Sequence, residues 1–278
     1  MATPSHILDS IGEPYTLGDA QVHQFQSEGF IKLRDVFSEE VIQYYEPIIS
    51  AMTREHDPAA GVALDDKDLY GKAFIQVGNL WTHNEQVREL VFCRRLAQLA
   101  TELMGTDGIR LYHDQSLYKE PSGGFTPWHV DQQYWPMDSG KSVTAWIPLQ
   151  ETPLDMGPLC FGKGSHLKHI ARDIEISAES ERIITEAIQK EKIIEVQEPF
   201  ALGEVSFHYG WTLHRAGGNT TDLPRKVHTI IYMDEQMRLK EKRSQNQEND
   251  RVKFCGDTRD GEIIDGNLTP VLYQKATS

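Results

Sequence analysis

The chain predicts a mainly β fold with flanking helices, on three observations. Its first hundred residues place apolar side chains at helical spacing. From about Ile109 the texture changes to short apolar runs broken by Gly, Pro and Asp, and one helical pattern, about 178–190, interrupts those runs. Helices first and many short strands after them indicate a β-sandwich buttressed on one side by helices. With 278 residues the chain is long enough for one large domain. Within it, about 1–108 reads as a helical buttress, about 109–233 as the strand core, and about 234–278 as a polar loop and C-terminal segment.

Ser38 can cap a helix whose first turn holds Glu39 and Glu40, acids that suit the positive end of the helix dipole. Val41, Ile42, Tyr45, Ile48, Ile49 and Met52 follow on one stripe, with Pro47 as a point of bending. A second helix is expected over about 84–104, where Val87, Leu90, Val91, Leu96, Leu99 and Leu103 form a stripe that Gly105 ends. Strands are expected at 109–118, 142–149, 204–208 and 226–233. The segment 234–260 is crowded with Lys, Arg, Glu, Asp, Gln and Asn. It reads as a solvated, mobile excursion, or as a lid that closes over a bound molecule together with Tyr134 and Trp135.

Hydrophobic and charged contents of 39% and 25% are globular values. A formal net charge of −14 argues against nucleic acid or an anionic membrane as partner, because such surfaces need Lys and Arg to neutralise phosphate. No apolar run approaches the roughly 18 residues of a spanning helix, and the first residues show no secretory pattern. Cys93, Cys160 and Cys255 are odd in number and far apart, which suits neither a disulfide framework nor a zinc ribbon. A reducing cytoplasm is the expected setting, and the sequence leaves a homodimer open.

The chemistry concentrates in Pro127-Trp-His-Val-Asp131, followed 85 positions after His129 by Thr212-Leu-His214. On an extended segment, side chains two apart leave the same face, so His129 and Asp131 point together. His214, arriving from a distant strand, completes a 2-His-1-carboxylate face, which suits non-haem Fe(II) because it leaves positions open for a cosubstrate and oxygen. Arg225 follows His214 by 11 residues, across the turn-like Gly217-Gly-Asn-Thr-Thr-Asp-Leu-Pro224. Its planar, permanently charged guanidinium matches the far carboxylate of a dicarboxylic cosubstrate, though a purely structural arginine fits the spacing as well. His208, six before His214, is read as supporting a ligand and not as one. His166 and His169 bracket a loop and are read as surface or substrate-facing. Tyr134 and Trp135 either wall a substrate pocket or simply pack.

These residues, with Ala145-Trp146, Gly157-Pro-Leu159, Gly164-Ser-His166, Gly203-Glu-Val205 and His214-Arg-Ala-Gly-Gly-Asn219, fall in an order that resembles the phytanoyl-CoA dioxygenase-like family. The opening Phe25-Gln-Ser-Glu-Gly-Phe-Ile-Lys-Leu33 with Asp35-Val-Phe-Ser38 is similar to that family's first helix and strand, and the resemblance covers roughly residues 20 to 233. It implies a double-stranded β-helix (jelly-roll, cupin-like) core and a dioxygenase using Fe(II), 2-oxoglutarate and O2. It also implies His129, Asp131 and His214 as metal ligands, Arg225 and Trp146 at the cosubstrate, and Gln115 and Lys72 near cosubstrate or substrate. Phe161 joins Tyr134 and Trp135 as a pocket candidate. Two positions depart from the pattern: Val130 stands where some relatives have glutamine, and Ala216 where a serine is common.

The reaction so implied oxidises, by preference hydroxylates, a C–H bond of a small metabolite or natural-product intermediate, with release of succinate and CO2. Asp131 argues against halogenation, which needs that carboxylate replaced by a small residue. An acyl-CoA substrate would require basic residues at a pocket mouth, for which Lys163, Lys168 and Arg172 are the candidates. Outside this chemistry, a metal-dependent cupin-like isomerase or hydrolase, for instance with zinc, would have no use for Arg225, and a non-catalytic jelly-roll binding protein none for the triad.

Overall fold

The Ser38 hydroxyl accepts a hydrogen bond from Val41 N, and the predicted helix follows over Glu39–Glu55. The computed structural model describes residues 2–67 and 69–276. In chain order the described helices are α1 (Ser5–Gly12), α2 (Asp19–Glu28), α3 (Glu39–Glu55), α4 (Leu69–Ala73), α5 (Glu85–Val91), α6 (Arg94–Met104), α7 (Ala178–Glu191) and α8 (Gln245–Phe254). The strands are β1 (Phe30–Leu33), β2 (Ile75–Gly78), β3 (Gly108–Lys119), β4 (Thr126–His129), β5 (Ser142–Pro148), β6 (Leu159–Gly162), β7 (Glu195–Gln197), β8 (Val205–Tyr209), β9 (His214–Ala216), β10 (Arg225–Asp234) and β11 (Val271–Gln274).

They form two antiparallel sheets. The larger runs β1-β8-β5-β10-β3-β11 with β2 added beside β3, and the smaller runs β4-β9-β6-β7. This is the expected jelly-roll core with flanking helices. Period-two alternation divides the larger sheet over most of its length. Ser116 and Tyr118 on β3 bond Thr53 and Ser50 of α3, and Val143, Ala145, Phe207, Ile230 and Tyr232 join the helix-side core. The residues between them, among them Gln115, Leu117, Thr144, Trp146, His208 and Thr229, face inward toward the smaller sheet and line one cavity. The outer face of the smaller sheet is covered by α7, whose Ile184 and Ile188 pack on Trp128, Val130 and Leu213.

Three expectations need correction. The stripe over 84–104 is two helices, α5 and α6, because Cys93 is extended (φ −62°, ψ 131°) and resets the chain direction. Val87, Leu90 and Val91 before the break and Leu96, Leu99 and Leu103 after it all remain fully buried. The first hundred residues are also not wholly helical, since β1 pairs with β8 and β2 with β3 to extend the larger sheet. Finally, 234–260 is no bare excursion. Ser244 caps α8, and Met237, Leu239, Phe254 and Cys255 pack with Tyr112, Trp135 and Met137. Those apolar residues are few and widely spaced among charges, so the sequence shows no periodicity there.

Candidate active site

β4 and β9 pair antiparallel with His129 opposite His214, so two imidazoles leave neighbouring strands on one face, their ring centroids 4.1 Å apart. Val130 is still extended (φ −127°, ψ 134°), which returns Asp131 to that face before the chain turns. One donor atom from each of His129, Asp131 and His214 lies within 4.8 Å of the others. Each histidine turns Nδ1 to a backbone carbonyl, His129 to Pro127 O (2.8 Å) and His214 to Thr212 O (3.0 Å). A carbonyl accepts only, so Nδ1 carries the proton and the Nε2 lone pair faces the cluster. Two imidazole nitrogens and a carboxylate oxygen, so oriented, fit a divalent metal and specifically the facial set of a non-haem Fe(II) centre.

The two oxygens of Asp131 have separate duties. Oδ1 lies 3.6 Å from His129 Nε2 and 3.5 Å from His214 Nε2, facing the cluster. Oδ2 accepts from Thr144 Oγ1 (3.2 Å) and lies 3.4 Å from His208 Nε2, on the paired residue of the adjoining strand. Burial alone would raise the Asp131 pKa, but His214, His129 and His208 around it hold the carboxyl well below its usual range. Burial, with His129 alongside, keeps His214 far below the usual histidine value. His208 is therefore placed behind the carboxylate, as a support for it.

A cavity of about 420 Å³ runs from this cluster in two directions between the sheets. At one end stands Arg225, 2% exposed, at the start of β10. Its Nη1 donates to Gly157 O (2.6 Å), its guanidinium lies 5.6 Å from the Trp146 ring centre, and its Nε has no hydrogen-bond partner among the described residues. No carboxylate pairs with it among the described ion pairs, and burial lowers its pKa to about 10. Its cross-strand partner is Lys119, also buried, which burial and the nearby Arg225 push down to about 6. Lys119 donates to Gly124 O and to Thr126 Oγ1 (3.4 Å). A buried guanidinium without an anion is costly, and the cavity that Arg225 lines suits an anionic ligand.

At the other end the lining comes from Tyr134 and Trp135 and from Asp250, Lys253 and Phe254 of α8. Gln115 lines the floor and accepts from the Gln76 side-chain amide. Two expected residues are not brought to the cavity. Lys72 sits on α4, where its backbone carbonyl takes Gly124 N (2.8 Å), and is not among the lining residues. Phe161 stacks on Phe30 (4.5 Å, 13°) and lies behind His208, 5.4 Å between ring centroids. His166 bonds Gln26 O (3.1 Å) and is likewise absent from the lining, as is His169.

Several contributors carried no motif. Thr144 is a polar residue inside an apolar strand, a signal that period-two reading could have used. Thr126 pairs with Ala216 across β4 and β9 and lines the cavity, so the hydroxyl missing at 216 stands on the neighbouring strand. Glu181 of α7 accepts from Trp128 N (2.6 Å) and from Arg215 (3.4 Å), residues adjacent to His129 and His214. One carboxylate thus straps both ligand-bearing strands from outside.

The phytanoyl-CoA dioxygenase family model matches residues 25–227. The chain belongs to the phytanoyl-CoA dioxygenase family of Fe(II)- and 2-oxoglutarate-dependent oxygenases. It is 24% identical over 229 residues to a Stutzerimonas stutzeri protein described as a probable alpha-ketoglutarate-dependent hypophosphite dioxygenase, covering 76% of this chain and 77% of that one. It is 26% identical over 161 residues to a Danio rerio phytanoyl-CoA dioxygenase domain-containing protein, covering 55% and 51%. Among solved structures it is similar to the alpha-ketoglutarate-dependent carbocyclase SnoK of nogalamycin biosynthesis (TM-score 0.75, 24% identity, 94% and 99% covered). The epimerase SnoN, solved with Fe3+ and alpha-ketoglutarate, is similar too (TM-score 0.76, 22%, 92% and 98%). So is EctD of S. alaskensis, solved with 2-oxoglutarate and 5-hydroxyectoine (TM-score 0.65, 22%, 92% and 90%). These structural likenesses support the fold; as a family member the protein is a dioxygenase whose cofactors are Fe(II) and 2-oxoglutarate. No described helix is long and apolar enough to cross a membrane.

Proposed function

We propose that the protein oxidises a C–H bond of a small organic molecule, most simply by hydroxylation, with His129, Asp131 and His214 holding Fe(II) and Arg225 holding the far carboxylate of 2-oxoglutarate. The observation that carries this reading is a buried, anion-free Arg225 bordering the same cavity as the His–Asp–His cluster. When bound, the metal and 2-oxoglutarate supply an oxidant derived from O2, and the balance is R–H, O2 and 2-oxoglutarate to R–OH, CO2 and succinate.

The chain's own residues bind, orient and shield. Nδ1 bonds to Pro127 O and Thr212 O fix both imidazoles, and Thr144 and His208 fix the Asp131 carboxylate. Arg225 supplies a guanidinium whose remaining donors are free to take a carboxylate. Thr126, with its hydroxyl oxygen accepting from Lys119, can donate to the same carboxylate in place of the serine absent at 216. Trp146 walls that end, and Tyr134, Trp135 and α8 wall the other, so one C–H bond is held close while bulk water is kept out. Asp131 occupies the position a halide would need, which favours oxygen transfer over halogenation.

The basic residues considered for a CoA substrate are otherwise engaged. Lys163 pairs with Glu28 (2.6 Å), Lys168 with Glu191 (3.2 Å), and Arg172 stacks on Trp211 (4.4 Å). None lines the cavity, which supports a small molecule over an acyl-CoA. The test is a metabolite panel on iron-loaded protein, scoring substrate-stimulated succinate. Stimulation by chelated zinc in place of iron, without 2-oxoglutarate consumption, would replace this reading with the isomerase or hydrolase one.

A further inference from the structure

The end of the cavity away from Arg225 has its own construction. The β3–β10 register shifts between Ile231 and Tyr232: His113 faces Ile231 and Leu111 faces Tyr232, which leaves Tyr112 as the extra residue of a bulge. A bulge breaks strict alternation, so two consecutive side chains reach the same neighbour. That neighbour is α8. Tyr112 donates its hydroxyl to Asp250 Oδ2 (3.0 Å), and the His113 ring stacks on Phe254 (4.3 Å, 16°).

Asp250 and Lys253 lie three apart on α8 and both line the cavity. On a helix this spacing puts side chains on one face, about 5–6 Å apart at Cβ. They do not pair with each other, and neither forms an ion pair with any described residue. Tyr112 is the sole described hydrogen-bond partner of Asp250, and the Lys253 ammonium lies 4.9 Å from the Phe254 ring centre. Of the other charges lining the cavity, Arg215 pairs with Glu181 and Glu195 and Asp131 faces the histidines, while Glu175 stands exposed at the rim. Asp250 is half-buried and Lys253 is exposed, so the two charges stand where the cavity meets solvent. Burial raises Asp250 to about 6 and lowers His113 to about 3, and His113 Nδ1 has no hydrogen-bond partner. An acid and a base, one helical turn apart and both turned to a cavity, complement a ligand with the opposite arrangement of charge.

We infer that the substrate bears a zwitterionic head, an ammonium and a carboxylate on one carbon as in an α-amino acid, with Asp250 taking the ammonium and Lys253 the carboxylate. The rest of the molecule then extends past Tyr134 and Gln115 toward His129, Asp131 and His214. This rests on the small-molecule oxidation proposed above and names the substrate class for it. Glu175, exposed at the same rim, adds a second negative charge and tilts the site toward the ammonium if only one group is present.

The test is equilibrium binding to the Fe(II)-loaded protein with 2-oxoglutarate, without oxygen, so that no turnover is needed. The probes are L-leucine, L-phenylalanine, L-glutamine and L-arginine, each with its decarboxylated amine and its deaminated acid. At least one amino acid is expected to bind tenfold or more tighter than both of its partners. Asp250→Asn, whose amide oxygen still accepts from Tyr112, should lose the advantage over the acid while the acid's own affinity stays. Lys253→Met should lose the advantage over the amine while the amine's stays. If no amino acid outranks both partners, or if the two variants weaken amine and acid alike, the inference is overturned. Affinity of the unaltered protein for 2-oxoglutarate, measured first, separates the cases: its absence would sink the function proposed above, whereas intact cosubstrate binding with no zwitterion preference sinks this inference alone.

Discussion

At the Arg225 end of the cavity, Thr126, Trp146, Ala216, Arg225 and Thr229 all stand on paired strands, whose register at this end shifts once, between Thr126 and His129. At the α8 end, Tyr134 and Trp135 stand at and just after a short turn, His113 beside a bulge, and Asp250, Lys253 and Phe254 on a helix from a polar segment. Strands fix side-chain direction to within one alternation, so the Arg225 end can hold a ligand that is always the same. Loops and an appended helix can change without disturbing the sheets, so the α8 end suits the ligand that differs between relatives.

The sharpest way to break this comparison is at its meeting point. His129→Ala, Asp131→Ala and His214→Ala should each abolish stoichiometric Fe(II) binding and all succinate release, with the fold retained. Metal content, Co(II) titration and circular dichroism check this together. Undiminished metal affinity in the His214 variant would move the third ligand to His208.

Next in size is Arg225→Ala. Removing one partner of a desolvated carboxylate pair costs about 2–5 kcal/mol, so 2-oxoglutarate affinity should fall roughly 30-fold or more. Fe(II) binding should stay near its original value, because Arg225 touches no ligand atom. A cosubstrate titration decides it. An unchanged affinity would leave Lys119 as the principal anion partner.

The same contrast explains what could be read from the chain alone. His-x-Asp, the distal histidine and Arg225 are legible because a strand converts sequence spacing into geometry. Strand boundaries at 109–118 and 142–149 came within a residue or so of β3 and β5, since burial on one or both faces leaves a plain apolar signal. Lys72 was carried from a family position across a gap, and the fold sets that lysine's backbone carbonyl against Gly124 N. α8 was illegible for a different reason. Its buried Phe254 and Gln247 are too few to make a stripe, and it is held by Ser244 capping and by contacts with distant Tyr112 and Gln133. Lys119 went unnoticed because a lysine between strands is ordinarily exposed, and only the fold shows it fully buried.

A smaller effect is expected behind the ligands, where Thr144→Val and Glu181→Ala each remove a support without touching the metal. Losing partners that orient a ligand commonly costs 10–100-fold in metal affinity. About tenfold is expected for Thr144→Val, which frees Asp131 Oδ2 from one of its two anchors. For Glu181→Ala the loss should be milder and rescued in part by Glu181→Gln, whose amide oxygen can still accept from Trp128 N. Co(II) affinity is the readout, set against the thermal midpoint of the metal-free protein. A drop in midpoint with unchanged affinity would show that the strap serves the fold alone.

The mildest prediction concerns the proton on Lys119. An unfolded lysine titrates near 10.4, and in the fold burial and Arg225 bring this one to about 6. Between those values the unfolded chain binds the extra proton, so stability contributed by this site rises with pH through that window; below about 6 both states are protonated and the dependence ends. When 2-oxoglutarate places a carboxylate by Arg225 and Thr126, the ammonium form of Lys119 is favoured again, and binding near neutral pH should draw a proton from solution. Calorimetry in buffers of different ionisation enthalpy measures that uptake. Lys119→Met should abolish it and weaken 2-oxoglutarate by only a few-fold, since Arg225 keeps the direct contact. It should also flatten the rise of thermal stability between about pH 6 and 10. Equal uptake in both proteins would mean that the proton belongs elsewhere, and that the buried lysine serves only to tie Gly124 and Thr126 into place.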